Sequence, residues 1–128
     1  MIRRNDGYIA LMSVLIVGAA ATAIGLTLLV SGANSQRSAL VEQQSIQATA
    51  LANACGEEAL QVLHDNKTYA GTGTLTLSTG TCNYNITNTV TAATITTNST
   101  VNDVVKKNTI YATINATNIS ITSWQEVI

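Results

Sequence analysis

One histidine, His64, stands directly beside Asp65. A histidine paired with a carboxylate is two-thirds of a nucleophilic triad, and the chain has many serines to complete one. No G-x-S-x-G elbow is present to hold such a serine exposed at a sharp turn. A cationic residue near a helix C-terminus interacts favourably with the helix dipole, and that accounts for His64. Glu57 and Glu58 are neighbours in sequence, so on a helix their side chains diverge by about 100° and cannot flank one substrate. Cys55, Cys82 and His64 are too few, and wrongly spaced, for a zinc site. Gly71-x-Gly73 is too short a pattern to cradle a phosphate. No catalytic residue, metal or cofactor is therefore assigned, and the chain is not expected to be an enzyme. Six Lys+Arg against seven Asp+Glu give a formal charge of −1, which leaves no polycationic face for nucleic acid.

What remains is the chemistry of two cysteines and of an uneven distribution of apolar surface. The chain is 46% apolar, 10% charged and has no proline. Between Tyr8 and Val30, 18 of 23 residues are apolar, and no charge occurs between Asp6 and Arg37. A helix over 8–32 would be about 37 Å long, enough to cross a hydrocarbon core of about 30 Å. A secretory signal has an apolar core of only about 7–15 residues, so this run reads as a retained single span. Arg3 and Arg4 precede it, which places the N-terminus inside and the bulk of the chain outside.

The helical pattern continues past the apolar run. Gln36 to Leu63 is rich in Ala, Leu, Gln and Glu, all good helix formers. Ala48, Leu51, Ala52, Cys55, Ala59 and Val62 recur at spacings of three and four, one face of a helix. With no proline to interrupt it, a single helix is predicted over 8–65, closed by Asp65 and Asn66. Its first half is apolar all round and its second half amphipathic. Gly18, Gly25 and Gly32 recur every seven residues, nearly two turns, and so lie close to one stripe. Small residues of this kind let membrane helices approach closely, which makes the three glycines a candidate helix-packing stripe.

From Asn66 to Ile128, Ser, Thr and Asn supply 30 of 63 residues, and the period changes to two. Strands are predicted near 73–78, 81–88, 92–100, 104–115 and 119–127. Cys82, Tyr84 and Ile86 share one face; Ile110, Ala112 and Ile114 share another. Ser78-Thr79-Gly80 and Asn102-Asp103 are turn signals. Short connections imply an antiparallel meander. One face of that sheet needs cover, and the amphipathic half of the helix is available. The fold class expected is therefore α+β: a β-sheet head over 66–128 packed on helix residues 33–65. A Cys55–Cys82 disulfide would clamp helix to sheet, contribute about 3 kcal/mol in the chain-entropy model, and place the head in an oxidising compartment. Five N-x-S/T sequons, at Asn66, Asn85, Asn98, Asn115 and Asn118, are what chance supplies in so Asn- and Thr-rich a segment. Lys106-Lys107 reads as a solvated hairpin. Trp124, Tyr84 and Tyr111 read as packing residues in preference to a carbohydrate platform.

The leader supplies a family resemblance. Residues 1–7, Met-Ile-Arg-Arg-Asn-Asp-Gly, are short, polar and basic, and Gly7 meets an aromatic Tyr8 that opens the long apolar run. This resembles the class III signal of type IV pilins and pseudopilins. The resemblance implies that a prepilin peptidase cuts after Gly7 and that Tyr8 becomes the methylated N-terminus. The mature chain would then carry four Lys+Arg and six Asp+Glu, a formal charge of −2 apart from the terminus. It further implies a helix that waits in the membrane and then packs with other pilin or pseudopilin subunits in a cell-surface filament. Most pilins carry a glutamate five residues after the cut, where this chain has Met12. The helix-kinking proline of the family is also absent, which leaves Gly18 and Gly25 as candidate soft points. The first departure makes the chain most similar to a minor subunit. Two other readings share parts of the topology. A single-span surface binding module or adhesin would keep its leader, and a secreted head cut near Gly32 would begin near Ala33.

Overall fold

The computed structural model describes the backbone of residues 4–128 and the side chains from Gly7 onward. One helix, α1 (Arg4–Asp65), is followed by five strands: β1 (Gly71–Leu77), β2 (Gly80–Thr89), β3 (Ala92–Val101), β4 (Val104–Ile114) and β5 (Ile119–Val127). All neighbours pair antiparallel in the order β1-β2-β3-β4-β5, a meander. The α+β class expected from the sequence is the observed one. By internal contacts the chain divides at Leu40/Val41 into two units.

Within Val41–Ile128 the helix lies on one face of the sheet. Ala48, Leu51, Ala52, Cys55, Ala59 and Leu63 are buried there, at spacings of three and four. Val62, expected on this face, is half-buried beside Leu63, which takes the central place. The covered stretch also starts later than the expected 33–65: within this unit Gln44 is the first half-buried residue and Ala48 the first buried one. From the sheet, alternate residues face the helix: Cys82, Tyr84 and Ile86 on β2, Ala93, Ile95 and Val101 on β3, Ile110, Ala112 and Ile114 on β4. Most of the helix residues in this contact are small, which brings the helix close to the sheet. At Gly56 this closeness is extreme, since a Cβ there would lie 2.7 Å from Ile110 Cδ1 and 3.0 Å from the Trp124 ring.

Cys55 and Cys82 are joined by a disulfide, with Cα atoms 6.1 Å apart and both residues fully buried. The bond closes a loop that contains the end of α1 and all of β1. Few large aliphatic side chains are fully buried: Leu63, Ile86, Ile95, Val101 and Ile110. Each contributes about 1.5–3 kcal/mol, so one cross-link worth about 3.5 kcal/mol for a loop of this length rivals any of them.

The end of α1 is specified by Asn66. Its backbone N–H closes on the Val62 carbonyl at 3.0 Å, and its Oδ1 accepts from the Thr68 N–H and hydroxyl at 3.1 and 2.8 Å. Asparagine competes with helix continuation in this way. The connector that follows is tied down: Asn88 Nδ2 donates to the Lys67 and Tyr69 carbonyls, and Lys67 Nζ donates to the Ala116 carbonyl. At the β3–β4 turn, Asn102 takes φ +52°, the left-handed conformation that asparagine tolerates in tight hairpins.

Candidate assembly surface

The first unit offers function its apolar surface. Its helix is long and apolar enough to cross a membrane: the most apolar window has mean hydropathy 2.3, and none of it is buried inside the chain. Tyr8, Ile9, Leu11, Val14, Leu15, Ile16 and Val17 are all exposed, as are Leu26, Leu28, Leu29 and Val30. Exposed apolar surface on this scale marks a contact with lipid or protein.

The few polar groups in this stretch are satisfied within it. Ser13 Oγ donates to the Ala10 carbonyl at 2.8 Å, Thr22 Oγ1 to Ala19 at 2.9 Å, and Thr27 Oγ1 to Ile24 at 2.8 Å. In hydrocarbon an unpaired hydroxyl is costly, and bonding back to the preceding turn removes that cost. Gly18, Gly25 and Gly32 stand on open surface, where an added Cβ would meet nothing within 4 Å. Among the described residues the glycine stripe therefore serves no packing. Met12 is exposed on the same helix, in a stretch without any charged side chain from Gly7 to Gln36. Gly7 and Tyr8 lie within α1. Of the rest of the expected leader, Arg4, Asn5 and Asp6 also fall within α1, and Met1, Ile2 and Arg3 lie outside the described residues.

The residues with catalytic or metal potential do not converge. His64 Nδ1 is 3.7 Å from Asp65 Oδ1, and both side chains are solvent-exposed. Among the described residues no three His, Cys, Asp or Glu side chains come together. Both cysteines are consumed by the disulfide. Glu57 lines a shallow groove with Leu60, Gln61, His64, Ile119 and Ile121, while Glu58 points elsewhere. Tyr84 is buried on the helix side of the sheet. Burial holds its phenol above the ordinary pKa, with smaller contributions from Tyr69 and from the Glu58 carboxylate. Trp124 lies over Gly56, so both aromatics pack as expected. Tyr111 does not: its alternation places it on the solvent face of β4, and it is 46% exposed.

Sequence reasoning missed the polar contacts that fix helix to sheet. Ser99 Oγ donates to the Ala48 carbonyl at 2.6 Å, and Asn108 Nδ2 donates to Asn53 Oδ1 at 2.8 Å. Thr97, between them on the same face, is buried with its Oγ1 unpaired among the described residues. A signal for all three was present in parity. Thr97 and Ser99 alternate with Ile95 and Val101, and Asn108 alternates with Ile110.

Comparison with family models, with curated proteins and with solved structures finds no match to this chain.

Proposed function

We propose that the chain is a non-enzymatic minor pilin or pseudopilin, a subunit of a type IV pilus-like or type II secretion-like filament. The observation that carries this reading is the uncovered apolar stretch of α1 that begins at the Gly7/Tyr8 junction. A prepilin peptidase cuts after Gly7, Tyr8 becomes the methylated terminus, and the helix spans the membrane with its N-terminus inside. On assembly the helix exchanges lipid for the helices of other subunits, and Gly18, Gly25 and Gly32 set how closely they approach. The internally satisfied hydroxyls of Ser13, Thr22 and Thr27 and a glycine stripe with no partner among the described residues support this. A buried disulfide suits a head held outside the reducing cytosol. Met12, apolar where the family's glutamate pairs with a neighbouring terminus, suits a sparse or terminal position in the filament.

Intact mass of the native protein tests the reading. The expected mass lacks Met1–Gly7 and carries one added methyl group. A chain that keeps its leader in cells with active prepilin peptidase would instead be a membrane-anchored surface binding module. One beginning near Ala33 would be a secreted head.

A further inference from the structure

The sheet has two free edges, β1 and β5. Edge strands present unpaired N–H and C=O groups, and natural sheets blunt them with lysines, prolines, inward charges or bulges. β1 has no charged residue and no proline. β5 has one charge, Glu126, whose Oε1 accepts a 2.6 Å hydrogen bond from Lys106 Nζ on β4. A register shift opposite Tyr111/Ala112 makes a bulge at Thr122, which leaves Ser123–Val127 as a regular run on the outermost strand.

Both edges expose apolar side chains on the same face. Leu75 and Leu77 pair with Cys82 and Gly80, on the helix side. Ile121 and Trp124 pair with Ala112 and Ile110, also on the helix side. Leu77 is 47% exposed, Ile121 48% and Trp124 36%. On the opposite face the edges carry Thr72, Thr74 and Thr76 on β1, and Ser120, Ser123 and Gln125 on β5. Over Thr72–Leu77 and Ser120–Gln125 the two edges thus match face for face, apolar with apolar and neutral polar with neutral polar; Glu126 on the helix side and Val127 on the opposite face lie beyond that stretch.

Topology selects which edges meet. In an antiparallel meander of five strands, β1 and β5 run in the same direction. Copies anchored by the same helix in one membrane all point the same way. A two-fold axis normal to the sheet would pair β5 with β5, but it reverses the helix that lies on the sheet. A two-fold axis along the strands keeps direction, but it sets the apolar flank of one copy on the polar face of the next. Displacement without rotation preserves both.

We propose that β5 of one copy adds to β1 of a second copy as a parallel strand, joining heads edge to edge. The contact is heterologous, so each copy keeps one edge free for the next. It sets Leu75 and Leu77 beside Ile121 and Trp124. A parallel pair is somewhat weaker than an antiparallel one. The contact therefore depends on the anchors, which hold the heads at high effective concentration. Its direction rests on the membrane orientation proposed above; the edges themselves do not.

The test replaces Leu77 with a photo-cross-linking amino acid in the full chain, in its native membrane. The expected product is a dimer whose cross-linked peptide maps within Ile119–Ile128 of the second copy. Thr74→Lys with Thr76→Lys puts charge on the β1 edge and lowers the dimer yield by about five-fold. Adding Ser123→Glu and Gln125→Glu to the same chain restores it. Absence of a dimer, a cross-link to β1 of the second copy, or a cross-link to another protein alone overturns the proposal. If the lysine variant misfolds, the map from the otherwise native chain decides. Intact mass on the same sample separates the two readings. A dimer with its leader retained overturns the pilin assignment and leaves the edge contact standing. A processed chain without the dimer overturns the edge contact alone.

Discussion

The stretches on either side of Leu40/Val41 belong to one helix yet use opposite side-chain chemistry. From Gly7 to Leu40 the large apolar residues point outward, and the Ser13, Thr22 and Thr27 hydroxyls fold back onto their own turns. From Ala48 to Leu63 the apolar residues are mostly small and buried, and polar groups reach across to the sheet. Glycine shows the contrast most sharply. Gly25 borders open space, whereas Gly56 touches two strands. The difference teaches that the same residue type is tightly packed in one stretch and left uncovered by the described residues in the other.

The largest perturbation should fall wholly on the second stretch. Replacing both cysteines by serine is expected to lower head stability by about 3.5 kcal/mol. Thermal unfolding of the full chain in detergent, with and without reductant, measures this. Identical transitions would mean the cross-link adds nothing. Gly56→Leu comes next, because its side chain must displace Ile110 and Trp124 from a filled interface. A loss of about 2 kcal/mol is expected from overpacking. Gly25→Leu is its control: it should leave the head transition within about 0.5 kcal/mol of the parent while reducing self-association in the membrane. Equal effects from the two leucines would erase the distinction between the stretches. Thr97→Val removes the buried hydroxyl that has no partner and should raise stability by about 1 kcal/mol; any loss of stability would show that the hydroxyl is satisfied.

The smallest effect concerns pH. The folded head keeps the Tyr84 phenol neutral to higher pH than the unfolded chain does, chiefly because the side chain is buried. The stability this contributes is present below the unfolded value of about 10 and is lost as pH rises through the raised folded value. Tyr84→Phe should therefore flatten the alkaline loss of stability. A pH titration of the melting temperature from neutral to alkaline checks it, and parallel curves for the two proteins would count against it.

Much of the fold was legible because period-two alternation and three-four spacing are strong in this chain. The strand predicted near 92–100 is β3 at Ala92–Val101, and that near 119–127 is β5 at Ile119–Val127. The two cysteines fell on facing surfaces once both patterns were placed. Composition hid the rest. Ser99, Thr97 and Asn108 are residue types that fill the solvent face, so their parity with Ile95 and Ile110 carried the only signal. Gly56 and Trp124 meet across a helix and a strand far apart in sequence, and nothing local marks that contact. The start of the covered helix at Gln44 was equally hidden, since no proline or glycine interrupts Ala33–Gln43 to mark it. The apolar helix was plain in the sequence, but whether its glycines had partners in their own chain required the coordinates.

The disulfide has a mechanical meaning beyond its contribution to stability. A pull on the helix from its N-terminal side has a covalent short cut into the sheet, from Cys55 into β2 at Cys82, which bypasses 27 residues of backbone. The last turns of the helix, the pinned connector and the whole of β1 lie inside the loop that this bond closes, off the shorter path. Load also enters through the Ala48–Ser99 and Asn53–Asn108 hydrogen bonds, so the helix grips β2, β3 and β4 at three separate points.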